Sequence, residues 1–301
     1  MPATTVFVES WFLPIEIIKI VCTFLTSVCC AIYLCIILLN KTCHTLPMML
    51  TANTCASTLA FACSMLSTSI VTIQNDLKQI YYQDLLCIIQ CYAAYVTVFW
   101  LNYSFSIEAI YRYVIVMYPA RLFFLTVKFY TIIICLSWIC GVLCALVFPF
   151  LGDIVYNVDN QICQIPLRLS FSLIYSVLCM YLIPLSVTML IYCRLVHYVK
   201  QMSKRVTPIY VISRAQREVR MVRHTVLLVM LFILLGTPYT IFIVLSFFHS
   251  APQYHFRLAY ISIDISLLLM VIVLFYFNEP LKTVVKKKFR RRTNAAMTIV
   301  L

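Results

Sequence analysis

Few residues in this chain are equipped for chemistry, and the ones that are stand far apart. Glu108 and Arg112 sit one helical turn from each other inside a long apolar run. A guanidinium at the end of such a run needs a carboxylate or water, because burying it alone in hydrocarbon is costly. Glu108 has the spacing to supply that partner on one helix; Glu218, ahead of a later apolar run, is the alternative. A pair with two candidate carboxylates is suited to a latch that exchanges partners, and the plainer reading is a static ion pair or a snorkelling arginine. Asp264 is a lone carboxylate inside another apolar run, a functional candidate by position. It is available to a cationic ligand, or to Arg168 or Arg257 if either reaches inward. With only three glycines, Gly141, Gly152 and Gly236, and no GxxxxGK or GxGxxG string, phosphate-cradling loops are excluded. Ten carboxylates leave little for acid–base work. The expectation is a non-enzyme with no cofactor and no metal.

The elements that position these residues are helices. Of 301 residues, 63% are apolar and 11% charged, where a soluble domain carries roughly 25% charged residues. Charge-poor runs long enough to cross about 30 Å of hydrocarbon recur at 15–39, 46–73, 85–111, 129–151, 170–193, 224–248 and 258–279. They lack the alternation of a membrane β-barrel. The fold expected is all-α, a seven-transmembrane helix bundle. Its parts are an extracellular N-terminus over 1–14, the bundle over 15–279, and a cytoplasmic amphipathic helix and basic tail over 280–301.

Basic residues orient the bundle, since they are retained in the cytoplasm. With the N-terminus outside, 19 of the 23 Lys and Arg fall on the cytoplasmic side. The net charge of +13 then follows from topology, and no nucleic-acid partner is needed to explain it. Ser213 and Gln216 read as a capping box opening the sixth helix, with Arg214, Arg217, Arg220 and Arg223 on its basic extension. That extension is either topological charge or a docking surface for an acidic or helical partner. After Pro280, the residues Leu281, Val284, Val285 and Phe289 share a face ringed by lysines and arginines, as in a helix lying on anionic inner-leaflet lipid.

Most of the fifteen cysteines lie inside apolar runs, where a free thiol is a small buried side chain. Cys87, at the outer mouth of the third run, and Cys163, alone in the outer loop before the fifth, face an oxidising compartment instead. A bridge between them is permitted and favoured over two free thiols. It would pin the loop over the bundle mouth, contributing about 2–4 kcal/mol.

Seven spans and this cysteine pair make the chain resemble the rhodopsin-like family of G protein-coupled receptors. Further positions agree in order: Arg112 within Glu108-Ala-Ile-Tyr-Arg-Tyr113, then Pro119, Trp138 in helix 4, Pro184 and Tyr192 in helix 5, and Pro238 in helix 6. Glu218 falls where many members carry the acidic partner of the arginine. The resemblance implies a plasma-membrane receptor in which the resting state holds helix 6 against helix 3 through Arg112 and Glu218. Agonist would release helix 6, with Pro238 as hinge, and a heterotrimeric G protein would engage. Other positions depart from the family pattern. Tyr111 replaces the acidic residue before the arginine, Thr58 replaces the helix 2 aspartate, Gly236 replaces the helix 6 tryptophan, and helix 7 lacks Asn-Pro-x-x-Tyr.

On helix 3, Cys87, Cys91, Ala94, Val98, Leu101, Phe105, Glu108 and Arg112 recur at three- and four-residue intervals and form an inward stripe. The pocket expected at its outer half takes in Ala94, Tyr95, Val98, Phe99, Tyr239, Phe242, Tyr260 and Asp264. Ala94 stands where amine-binding members place an aspartate, and Asp264 where opsins carry their retinal lysine, which argues against an amine ligand and rules out a retinal Schiff base. The N-terminus is short, so the ligand expected is a small molecule or short peptide. The rivals are a non-signalling seven-helix scaffold or decoy, and a transporter or channel, for which the intramembrane charges look too few and too scattered.

Overall fold

The structure is a computed structural model that describes residues 11–78, 84–118, 122–204, 236–248 and 252–277, together with Met230, Ser250 and Lys282. Pro119, Glu218, the basic run from Ser213 to Arg223 and almost all of 280–301 lie outside the described residues, and with them the sequence expectations placed there.

The helices, in chain order, are α1 (Phe12–Leu39), α2 (Leu46–Lys78), α3 (Leu85–Met117) and α4 (Val127–Leu151). Next comes α5, a rod made of Phe171–Ser176, a π-helical stretch Val177–Leu182 and Ile183–Lys204. The last two are α6 (Gly236–Phe247) and α7 (His255–Phe277). Six of them are long and apolar enough to cross a membrane; α6 is the described part of the run at 224–248. The helices overrun their predicted ends, α2 to Lys78 and α3 to Met117.

Side-chain caps fix several starts. Asp84 accepts from the Leu85 amide at 2.7 Å, and Ser170 from the Leu173 amide at 3.3 Å. Gly152 ends α4 at φ 68°, a left-handed conformation in which glycine has no Cβ penalty. Apolar side chains such as Phe24 and Ile32 on α1 and Ile132, Leu136 and Ile139 on α4 face outward. Against lipid they lose nothing by exposure. Most hydroxyls of the α1 and α2 seams, such as Thr26 and Thr58, bond back to carbonyls of their own helices.

Helix α3 is the axis of the bundle, in contact with α2, α4 and α5, while α1 packs between α2 and α7. Its inward stripe is buried as the spacing predicts, from Cys87 through Leu101 to Glu108. Between α4 and α5 the helical bundle carries one short addition. Val155–Asn157 (β1) and Ile162–Gln164 (β2) form an antiparallel hairpin with Tyr156 opposite Cys163. Three-residue strands leave no periodicity to read; the turn is made by Asn157, whose Oδ1 accepts from the Asn160 amide at 3.0 Å, and by Gln161 at φ 56°.

Candidate functional site

The hairpin lies over one end of the bundle because Cys163 is bonded to Cys87, with Cα atoms 5.5 Å apart. The expected bridge is therefore present. Under it, α2, α3, β2 and α7 border a narrow cleft lined by Thr68, Thr72, Gln90, Cys91, Gln164 and Tyr260, with Ala94 at its floor. Its walls carry amides, hydroxyls and methyls, and among the described residues no charged side chain lines it. On the hairpin, the Tyr156 hydroxyl donates to Gln161 Oε1 at 2.7 Å. Burial, with Asp76 nearby, pushes that phenol up to about 12.

The predicted pocket residues divide. Ala94 and Tyr260 line the cleft. Tyr95 and Val98 are buried behind it, Tyr95 with its ring 4.7 Å from Phe148. Tyr239 of α6 comes within polar reach of both Gln164 and Tyr95. Phe242, half-buried, approaches His255 at the outer rim, with ring centroids 6.4 Å apart. Phe99 lies elsewhere. One position past the inward stripe, it turns toward α4, stacks on Tyr103 at 4.0 Å and lies against Gly141.

Asp264 is wholly buried, and neither carboxylate oxygen has a hydrogen-bond donor. Neither expected arginine is its partner. Arg168 is exposed, and Arg257 grips Asp76 of α2 through two bonds of 2.9 and 2.5 Å. Arg257 also lies 3.6 Å from Glu16 of α1 and over the Phe12 ring at 4.1 Å. Glu16 in turn accepts from Lys19 at 2.9 and 3.1 Å. Four charged side chains from three helices thus converge at the disulfide-bearing end. The expectation of few and scattered intramembrane charges is corrected here. The available signal was Glu16 and Lys19, three residues apart at the head of an otherwise apolar helix, a placement tolerated only when both are paired.

At the opposite end, Arg112 pairs with Glu108 on its own helix. Nearby, Tyr192 of α5 is buried with Ala109 and Leu195. Tyr111, where the family has an acid, is buried edge-on to Tyr130, with centroids 5.5 Å apart.

The middle of the bundle is tied by polar contacts absent from the sequence reading. Trp138 of α4 donates to Asn53 Oδ1 of α2 at 2.9 Å and stacks on Trp100 at 4.2 Å. Proline has no N–H, so Pro184 cannot donate to the Met180 carbonyl one turn back. Asn102 of α3 supplies the missing bond at 2.7 Å. Ser106 donates to the Pro184 carbonyl at 3.0 Å, so α3 holds the irregular stretch of α5 at two points. Pro238 lies near the start of the described part of α6, half-buried.

A helix bundle closed at one end by a disulfide-anchored hairpin, with an arginine–carboxylate pair at the other, defines a class of multi-pass membrane receptor. The crystal structure of squid rhodopsin is similar, with a TM-score of 0.76 over 93% of this chain and 86% of that one at 16% identity, which speaks to the fold. No curated protein matches the sequence. The pattern of the 7 transmembrane receptor (rhodopsin family) matches residues 30–278. The chain belongs to this family.

Proposed function

We propose that this protein is a plasma-membrane signalling receptor, oriented with its N-terminus outside, that binds a small molecule or short peptide under the hairpin and activates a heterotrimeric G protein at the Arg112 end. The observation that carries this is the separation of two sites on one helix. The outer half of α3 lines a cleft through Cys91 and Ala94, and its inner end presents Arg112 paired with Glu108 one turn back on the same helix. An ion pair contained in one helix does not tie that helix to its neighbours. The inner ends of the fifth and sixth helices can therefore shift without breaking it, and Glu218 is the partner that would restrain helix 6 at rest. The basic run ahead of helix 6 and the 280–301 segment face anionic lipid and the G protein.

Purified receptor mixed with a panel of G protein heterotrimers tests this reading. It should accelerate nucleotide exchange on at least one of them; Arg112→Ala should abolish the acceleration and Glu218→Gln should raise it without ligand. A receptor inert toward every heterotrimer would be the decoy that the missing Asn-Pro-x-x-Tyr and helix 2 aspartate suggest.

A further inference from the structure

The charged cluster beside the outer cleft does not balance. Three carboxylates, Glu16, Asp76 and Asp264, face two cations, Lys19 and Arg257. Arg257 is committed to Asp76 and reaches Glu16, and Lys19 is committed to Glu16. Asp264 alone has neither donor nor exposure. A carboxylate charge buried without hydrogen bonds is not sustained in a low-dielectric interior and must be neutralised. The cleft under the hairpin does not open onto Asp264: its lining on α7 stops at Tyr260, one turn nearer the mouth. A metal ion or an ammonium group would have to displace packed side chains. The proton is the one cation that needs no room.

We propose that Asp264 is a proton-binding site, and that release of its proton transfers Lys19 from Glu16 to Asp264. In the step, the Asp264 O–H bond breaks and the proton leaves to water at the outer mouth. The Lys19 ammonium keeps its three hydrogens and changes partner, which leaves Glu16 and Asp76 to share the single charge of Arg257, 3.6 Å from Glu16, and the cluster one negative charge richer. The titratable and charged groups around Asp264 are Glu16, Lys19 and Cys22 on α1, Asp76 on α2, and Arg257 and Tyr260 on α7, with Tyr239, Cys91, Tyr95 and Tyr181 behind Tyr260. Only Lys19 can offer Asp264 a charge-assisted bond. The exchange moves a tie from within α1 to a tie between α1 and α7, beside the wall of the cleft formed by Tyr260, so ligand affinity would become dependent on outside pH.

Infrared difference spectroscopy of the purified full chain across a pH step tests this directly, with no ligand or G protein, so its failure is separate from failure of the receptor reading. The expected result is a protonated-carboxyl C=O band that disappears as pH rises, is missing from Asp264→Asn and persists in Lys19→Met. Glu16→Gln, which frees Lys19 at the outset, should lose the band as well. A wild-type spectrum with no protonated carboxyl, or a band that survives Asp264→Asn, overturns the proposal. A wild-type spectrum without the band overturns the proposal even if a variant does not fold.

Discussion

The two ends of the bundle use the same chemistry in opposite ways. At the disulfide end, Arg257 is 2% exposed and bonds across helices to Asp76, with Glu16 and Lys19 alongside. At the other end Arg112 is half-buried and its pair with Glu108 stays inside α3. An ion pair between helices fixes their separation; one within a helix leaves the neighbours free. The disulfide end is thus built as a fixed frame around the cleft, reinforced by the Cys87–Cys163 bridge, whereas the pair at the Arg112 end lies within one helix, as the proposed rearrangement there requires.

The sharpest way to break this contrast is to remove the arginines in turn. Arg257→Ala takes a buried guanidinium away from half-buried Asp76 and buried Glu16 and should cost on the order of 3–5 kcal/mol, read as thermal unfolding in detergent. Arg112→Ala should cost less than half as much, and equal losses would erase the distinction. Cys163→Ser, which frees the hairpin, should lose about 2–4 kcal/mol and weaken ligand binding at the mouth while leaving basal nucleotide exchange intact.

Between the ends, packing sets the scale. A Cβ on Gly141 would lie 2.6 Å from the Trp100 ring and 2.9 Å from Phe99, whereas one on Gly236 meets nothing within 4 Å. Gly141→Ala should therefore destabilise by about 1–3 kcal/mol through overpacking. Gly236→Ala should be neutral or gain up to about 1 kcal/mol of helix propensity. Glu108→Gln keeps an oxygen that can accept from Arg112 and should cost only on the order of 1 kcal/mol. Its signature should be functional, a changed basal rate of nucleotide exchange at nearly unchanged melting temperature.

What the sequence disclosed follows from range. Apolar runs are local, so the spans were legible, and the position of Cys87 at the mouth of one run and of Cys163 in the loop between two others was enough to single out the bridge. Glu108 and Arg112 were legible because their spacing is that of a single helical turn. The convergence of Glu16, Asp76 and Arg257 was not, since it joins residues from α1, α2 and α7 that only the bundle brings together. Nor was the role of Asn102, whose amide answers a carbonyl exposed by Pro184 far along the chain. Phe99 was misplaced for a geometric reason: adjacent residues on a helix point about 100° apart, so a neighbour of the inward stripe need not share its face.

The contrast between a fixed outer frame and a mobile inner end is most directly tested by spin-label distances with and without bound G protein. One pair joins Leu13 on α1 to Leu258 on α7, and the other joins Met117 at the end of α3 to Met221 in the basic run ahead of the sixth apolar segment. Binding should leave the first distance distribution unchanged and shift the second outward. A shift in the first with none in the second would contradict the account.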